Sequence, residues 1–138
     1  MKKLLSLICI VALCLLFVSC SDKPSDTNLW EAALYTENTT FGDGQKLVDI
    51  TVEAGDKSVV FTIKSNKQTV GDALKEHNLI DGEMGAYGLY VKSVNGITAD
   101  YSVDNSFWSF TKSGEYMTTG VDVTQFSDGD KFELVYTK

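Results

Sequence analysis

Three stretches of this chain carry apolar side chains at every second position: residues 48–52, 59–63 and 132–136. Such alternation is typical of β-strands that bury one face and leave the other in water. Residues 54–57, between the first two stretches, carry Gly55 and Asp56, which favour a turn. The first two strands are therefore predicted to form a β-hairpin, and the chain to fold around a half-buried sheet.

One segment has the features of a helix instead. Thr69 and Asp72 have the spacing of a capping box, with aspartate in place of the usual glutamate. Side chains that would share one helical face follow at i, i+3, i+4 and i+7: Val70, Ala73, Leu74 and His77. This spacing predicts a helix of two to three turns with an apolar stripe.

Further strands are predicted at residues 30–34, 89–94 and 106–111. In the first of them Trp30 is expected in the core. Glycines at positions 82, 85 and 88 predict a loop, and Asn95-Gly96 predicts a tight turn. One helix among about five or six strands of a mixed sheet is an α+β plan, and the order of hairpin, helix and further strands is compatible with a single β-grasp-like domain.

Composition narrows the function classes. The chain has 138 residues, with 19 acidic side chains against 12 lysines, no arginine and a formal net charge of −7. Nucleic-acid binding is not expected, because it needs a basic surface. There is one histidine, and all three cysteines lie within the first 20 residues. Zinc cages and catalytic triads are therefore not expected, and neither an enzyme nor a required cofactor is predicted.

The N-terminus has the features of an export signal. Lys2 and Lys3 precede an apolar run at residues 4–18, which is short for a membrane span. Residues 16–20 (LFVSC) resemble the lipobox of bacterial lipoproteins, with Phe17 where leucine is usual. The resemblance implies a signal peptide at residues 1–19, a lipid on Cys20, a tether at residues 20–28 and a domain at residues 29–138. A lipid-anchored, extracytoplasmic protein of the bacterial envelope is expected; the alternative is an ordinary signal peptide with an incidental cysteine.

Several segments resemble the transcobalamin-like C-terminal domain family, over about residues 46–136. They are residues 69–74 (TVGDAL), 90–96 (YVKSVNG), 107–108 (FW), 120–122 (GVD) and 128–134 (DGDKFEL). The resemblance implies a β-grasp-like fold that binds a soluble ligand and does no catalysis. The family includes the small domain of cobalamin carriers, in which a larger helical-barrel domain holds the rest of the corrinoid. A transporter or a second binding subunit is therefore expected to complete the site here.

The resemblance places the ligand contacts in two stretches: Tyr87, Leu89, Tyr90, Phe107, Trp108, Tyr116, Met117, Thr118 and Thr119. Trp108 would supply a flat surface, Met117 an adaptable apolar contact, and Thr118 or Thr119 hydrogen bonds to rim amides. The alternative for Trp108 and Tyr90, and for Phe107 or Phe110, is burial in the core.

Two further features have simpler interpretations. His77 could ligate a metal, but a histidine near the end of a helix often contacts the last carbonyl groups. Asp128-Gly129-Asp130 is interpreted as a tight turn rather than a calcium loop, because the later glutamate of an EF-hand is absent. The function predicted from the sequence is a surface lipoprotein that binds cobalamin or another corrinoid for uptake. The alternative is a protein- or polysaccharide-interaction module.

Overall fold

The computed structural model describes residues 27–138. The predicted signal peptide, the lipidation site at Cys20 and the tether up to residue 26 lie outside the described residues. The described chain contains three short helices: α1 (Thr27–Glu31), α2 (Val70–Lys75) and α3 (Tyr101–Asp104). It contains nine strands: β1 (Thr39–Phe41), β2 (Lys46–Ala54), β3 (Lys57–Ser65), β4 (Ile80–Gly85), β5 (Gly88–Val94), β6 (Ile97–Thr98), β7 (Phe107–Lys112), β8 (Glu115–Tyr116) and β9 (Asp130–Thr137).

Six strands form the main sheet, in the order β1-β3-β2-β9-β7-β8. β2 and β3 form the predicted antiparallel hairpin, β9 runs parallel to β2, and β7 pairs antiparallel with β9. A hairpin, a helix and a last strand inserted parallel to the first is the β-grasp arrangement, so the predicted α+β fold is confirmed. The described strands outnumber the five or six expected, because β1 and β8 add short edges and β4, β5 and β6 form a separate sheet.

The core lies on one face of the central strands. Ile50 pairs with Phe61 across the hairpin and with Phe132 across the parallel ladder, and all three are at most 1% exposed. The same alternation buries Val52 and Leu134. Burying one such side chain contributes about 1.5–3 kcal/mol, so the burial of this face is a large favourable contribution to folding.

Helix α2 begins as the sequence predicts. The Thr69 hydroxyl accepts a hydrogen bond from the Asp72 amide at 3.2 Å, which caps the first turn. The helix buries Val70, Ala73 and Leu74. It ends at Lys75, before the predicted position 77, because Asn78 takes a left-handed conformation (φ 56°) and the Leu79 amide closes back on the Leu74 carbonyl at 3.0 Å.

The predicted strand at residues 30–34 is wrong. Trp30 belongs to α1, and the Ala33 amide bonds to the Trp30 carbonyl at 3.1 Å, which extends a turn rather than a strand. Trp30 is nevertheless in the core, where its indole N–H donates to the Ala54 carbonyl at 2.9 Å. A window of five residues fits both the helical and the strand period, so periodicity alone cannot separate them.

The predicted glycine loop is instead a hairpin of the second sheet, which has the order β4-β5-β6. The register shifts between Asp81 and Gly82, so the strand contains a bulge there. A Cβ on Gly82 would lie 2.0 Å from the Tyr90 carbonyl oxygen, which is why the bulge requires glycine. The predicted turn between β5 and β6 is confirmed, with Asn95 at φ 53° and Gly96 at φ 78°.

Helix α3 is a short helix of four residues. In α3 the Asp100 carboxylate caps the first turn, and hydrogen bonds from Ser102 hold the pKa of Asp100 below its ordinary value of 3.8.

No helix within residues 27–138 has the length and apolar character needed to cross a membrane.

Candidate ligand-binding surface

The β4–β5 hairpin meets the chain that follows β8. Gly88, at the start of β5, has φ 104°, and a Cβ on it would lie 2.9 Å from Asp122 Oδ1. A Cβ on Gly120 would lie 3.0 Å from the same oxygen and 4.0 Å from the Leu89 carbonyl oxygen. The hairpin therefore packs directly on residues 120–122, with the Asp122 carboxylate between two glycines.

Helix α2 fixes this loop in place. The first amides of a helix have no partner within it, and here two of them bond to the loop. The Val70 amide donates to the Thr124 carbonyl at 2.9 Å, and the Gly71 amide donates to the Val121 carbonyl at 2.7 Å. The Thr124 hydroxyl donates to the Gly120 carbonyl at 2.7 Å. The loop is thus tied to the core at both ends of the Asp122 segment.

Asp122 holds the one carboxylate oxygen in the described chain that is buried without a hydrogen-bond partner, Oδ1. Leaving a buried polar atom unpaired costs about 1–3 kcal/mol, and more for a charged group, so such an atom marks a place where a partner is expected. The Asp122 carboxylate therefore keeps an unused acceptor, which the hairpin covers and which a ligand N–H or O–H group reaches only when Gly88 moves away from it. Sequence reasoning included residues 120–122 in the family resemblance and gave Asp122 no role.

Large apolar and aromatic side chains are exposed on the β4–β5 hairpin and on β8. Tyr87, at the tip of the hairpin, is 100% exposed, and Met84 and Tyr116 are each 71% exposed. Tyr90, on β5, is 44% exposed. Tyr90 pairs with Glu83 and Met84 pairs with Leu89, so Tyr90 and Met84 lie on opposite faces of the hairpin. The exposed residues Met84, Tyr87, Tyr90 and Tyr116, together with the loop at residues 117–122, are called the tip surface. Met84 was missed by sequence reasoning because its segment was interpreted as a loop.

The family model described as Domain of unknown function (DUF4430) matches residues 67–138, about half of the chain. The chain belongs to the DUF4430 family. A crystal structure of a candidate metal-binding protein from Ruminococcus gnavus ATCC 29149 is 40% identical, with a TM-score of 0.65. The match covers 68% of this chain and 98% of that protein.

The transcobalamin-like resemblance holds for the fold of this DUF4430 protein. Haptocorrin, in a crystal structure in complex with Cbi, matches with a TM-score of 0.52 and 19% identity. That match covers 71% of this chain and 26% of haptocorrin, so the chain corresponds to a small part of the larger protein. No curated protein matches the chain.

Trp108 of the DUF4430 domain lies inside the core, so its expected role as an exposed flat surface is wrong. It is 7% exposed, and its indole N–H donates to the Ile97 carbonyl of β6 at 3.1 Å. Its ring packs edge-on against Tyr136 at 5.6 Å. The alternative interpretation of Trp108 as a core residue is the correct one.

The remaining predicted residues divide between the tip surface and other places. Phe107 lies on the face of β7 opposite Trp108, half-buried, with Tyr101 at 6.3 Å, and is not part of the tip surface. Leu89 and Met117 are half-buried against the core. Successive residues of a strand face opposite sides, so Leu89 and Tyr90 present different faces of β5.

Thr118 and Thr119 are both exposed in the loop. The Thr119 hydroxyl shares a 2.6 Å hydrogen bond with the Thr124 hydroxyl. The structure thus places the start of β5 against the loop at residues 120–122, whereas Trp108 and Phe107 lie outside the surface that these two segments form.

Within residues 27–138, no three His, Cys, Asp or Glu side chains come together as a set of metal ligands. Asp128, Gly129 and Asp130 form the predicted turn: Gly129 has φ 89°, and the Asp130 carboxylate accepts from the Ser127 amide at 2.8 Å. The Asp128 carboxylate accepts from the Leu47 amide at 2.7 Å, so it links the turn to β2.

Proposed function

We propose that this protein is a binding module whose tip surface takes a soluble, flat and partly apolar ligand, with cobalamin or another corrinoid as the first candidate. The observation that carries the proposal is a hairpin with exposed tyrosines, Tyr87 and Tyr90, that packs on the loop holding the unpartnered carboxylate oxygen of Asp122. The role is proposed to be delivery of the ligand for uptake, without catalysis.

The chemistry of the tip surface supports this class of ligand. A flat amphipathic molecule needs aromatic faces for its apolar ring and a few polar groups at its edge. Tyr87 and Tyr90 offer ring faces with hydroxyl groups, and Met84, on the opposite face of the hairpin from Tyr90, adds a flexible apolar side chain. The Asp122 carboxylate and the loop hydroxyls offer acceptors for amide N–H groups.

The comparisons support the choice of a corrinoid. The haptocorrin structure with the same fold was determined in complex with Cbi. The part matched to this chain is 26% of haptocorrin, so one such domain is proposed to cover one face of the ligand, and a transporter or second subunit to cover the other.

The proposal predicts saturable binding of cyanocobalamin to the purified full chain, measured by equilibrium dialysis with the absorbance of the corrin ring. The double variant Tyr87→Ala/Tyr90→Ala is expected to weaken binding by about tenfold or more, because buried tyrosine contacts at binding sites typically contribute 1–2 kcal/mol or more. Tyr101→Ala is the matched control, since Tyr101 is 59% exposed but lies on α3.

An absence of saturable binding up to millimolar cyanocobalamin would contradict the corrinoid proposal. The second candidate, a protein- or polysaccharide-interaction module, would then be preferred. A fully exposed tyrosine at a hairpin tip suits that role too, because protruding aromatics are frequent contact residues in such interfaces.

We propose further that a lipid on Cys20 holds the protein at the outer side of a bacterial membrane. Metabolic labelling with radioactive palmitate is expected to label the full chain, and Cys20→Ala to abolish the label because the acceptor thiol is lost. Cys14→Ala is the control, since residue 14 lies in the segment proposed to be removed with the signal. Label retained in the Cys20→Ala chain would contradict lipidation at that residue.

A further inference from the structure

A cavity of about 330 Å³ lies beside the segment that follows β1, at the end of β3 and next to the residues after α2. It shares no lining residue with the tip surface. Its lining includes His77, Glu76, Ser65 and Asp43. His77 is the only histidine of the chain, which places the one imidazole at this cavity.

The imidazole of His77 is held in place but lacks a partner for one nitrogen. Its ring packs on Phe41 with centroids 5.2 Å apart and planes 32° apart. Nε2 is buried and finds no hydrogen-bond partner among the described residues. A Cβ on Gly42 would lie 3.3 Å from Nε2 and 2.3 Å from the Lys64 carbonyl oxygen, so both atoms border the same small space.

A carboxylate lies near the same nitrogen. Glu76 Oε2 lies 4.0 Å from His77 Nε2 and accepts a hydrogen bond from the Ser65 hydroxyl at 3.1 Å. Ser65 is 1% exposed, and its hydroxyl oxygen accepts from the Lys67 amide at 3.0 Å. The buried Ser65 hydroxyl thus donates one hydrogen bond and accepts another. These two bonds orient the Glu76 carboxylate, as outer-shell groups orient metal ligands.

We propose that His77 Nε2 and Glu76 Oε2 together bind a divalent transition-metal ion such as Zn²⁺, with water completing its coordination. Zinc bonds to imidazole nitrogen and carboxylate oxygen are about 2.1 Å long, so one ion can span two ligand atoms up to about 4.2 Å apart. The observed 4.0 Å is within that limit, and closure by about 0.6 Å gives the tetrahedral angle.

The lining favours this class of ion over Ca²⁺ or Mg²⁺. The lining contains two carboxylates, Asp43 and Glu76, and two lysines, Lys64 and Lys67, so its formal charges balance and it forms no strongly anionic cage. Hard cations prefer six or more oxygen ligands, whereas Zn²⁺, Cu²⁺ and Ni²⁺ gain from an imidazole. The site is thus expected to bind metal ions that favour an imidazole ligand over Ca²⁺ and Mg²⁺, which favour oxygen ligands alone.

The test is a Zn²⁺ titration of the full chain, followed through the ¹⁵N signals of its single imidazole. The cysteines of the first 20 residues can also bind Zn²⁺, so the imidazole signal rather than the total stoichiometry is the deciding readout. Zn²⁺ is expected to shift the Nε2 signal saturably, and Ca²⁺ and Mg²⁺ at the same concentration to leave it in place.

Glu76→Gln is expected to weaken the Zn²⁺ response of the imidazole by about tenfold or more, and Ser65→Ala to weaken it less. Glu115→Gln, an exposed carboxylate on β8, is the matched control. Nε2 signals that do not respond to Zn²⁺, or a Glu76→Gln chain that responds like the wild type, would overturn the proposal. Both readouts keep His77 in place, so the test does not depend on the folding of a His77 variant.

Discussion

Asn95→Ala is expected to lower the free energy of unfolding by about 2–4 kcal/mol. Asn95 is fully buried, and its side chain closes two hydrogen bonds on one residue: Oδ1 accepts from the Tyr35 amide at 2.9 Å, and Nδ2 donates to the Tyr35 carbonyl at 2.8 Å. Alanine leaves both backbone groups without these partners. It also has to adopt the left-handed conformation of residue 95 (φ 53°), which asparagine tolerates better.

Thermal and urea unfolding followed by circular dichroism measure this loss, with two variants to separate its causes. Asn95→Gly removes the side-chain bonds but accepts the positive φ, so it is expected to be about 1 kcal/mol more stable than Asn95→Ala. Asn105→Ala changes an exposed asparagine with φ 62° and so reports the conformational cost alone. An Asn95→Ala protein as stable as Asn105→Ala would show that the bonds to Tyr35 contribute nothing.

Asn95 also illustrates how much of the fold could be predicted from the sequence. The pair Asn95-Gly96 predicts its turn because both positions require positive φ, a local property. The central strands were predictable for a related reason: alternation over five or more residues, as in β2, β3 and β9, leaves one consistent buried face. The bonds from Asn95 to Tyr35 join residues 60 apart and leave no local signal.

Short or glycine-rich elements were not predictable by the same means. Trp30 is buried whether its segment is a strand or a turn of helix, so its apolar character did not decide between them. In β4, glycines at positions 82 and 85 suggested a loop, although pairing with β5 makes the segment a strand. There the tertiary partner, rather than intrinsic preference, determines the conformation.

The candidate site, like the fold, was predictable from the sequence only in part. Tyr87, Tyr90 and Tyr116 were located from the sequence, and the structure exposes all three. The burial of Trp108 depends on β6, which covers it and supplies the Ile97 carbonyl to its indole. The unpaired oxygen of Asp122 depends on the approach of Gly88, 34 residues earlier, which no periodicity in the sequence encodes.

Gly88→Ala is expected to destabilise the protein by about 2–3 kcal/mol, through backbone strain and a steric clash. The backbone at Gly88 has φ 104°, which side-chain-bearing residues rarely adopt, and the new methyl group would lie 2.9 Å and 3.0 Å from the two Asp122 carboxylate oxygens. Relief of this contact requires the Asp122 carboxylate to turn away from residue 88, or the hairpin to move away from the loop. Backbone amide NMR shifts of residues 120–124 are therefore expected to change along with the melting temperature, by several degrees for each kcal/mol lost.

Gly85→Ala is the matched control on the same hairpin. A Cβ there meets only the Gly88 carbonyl oxygen, at 3.6 Å, which is an ordinary contact, so its stability is expected to stay within about 0.5 kcal/mol of the wild type. If Gly88→Ala is as stable as Gly85→Ala and leaves the 120–124 amide signals unchanged, then the hairpin is not held against Asp122. The tip surface would in that case not exist as a preformed unit, and a ligand would have to assemble it on binding.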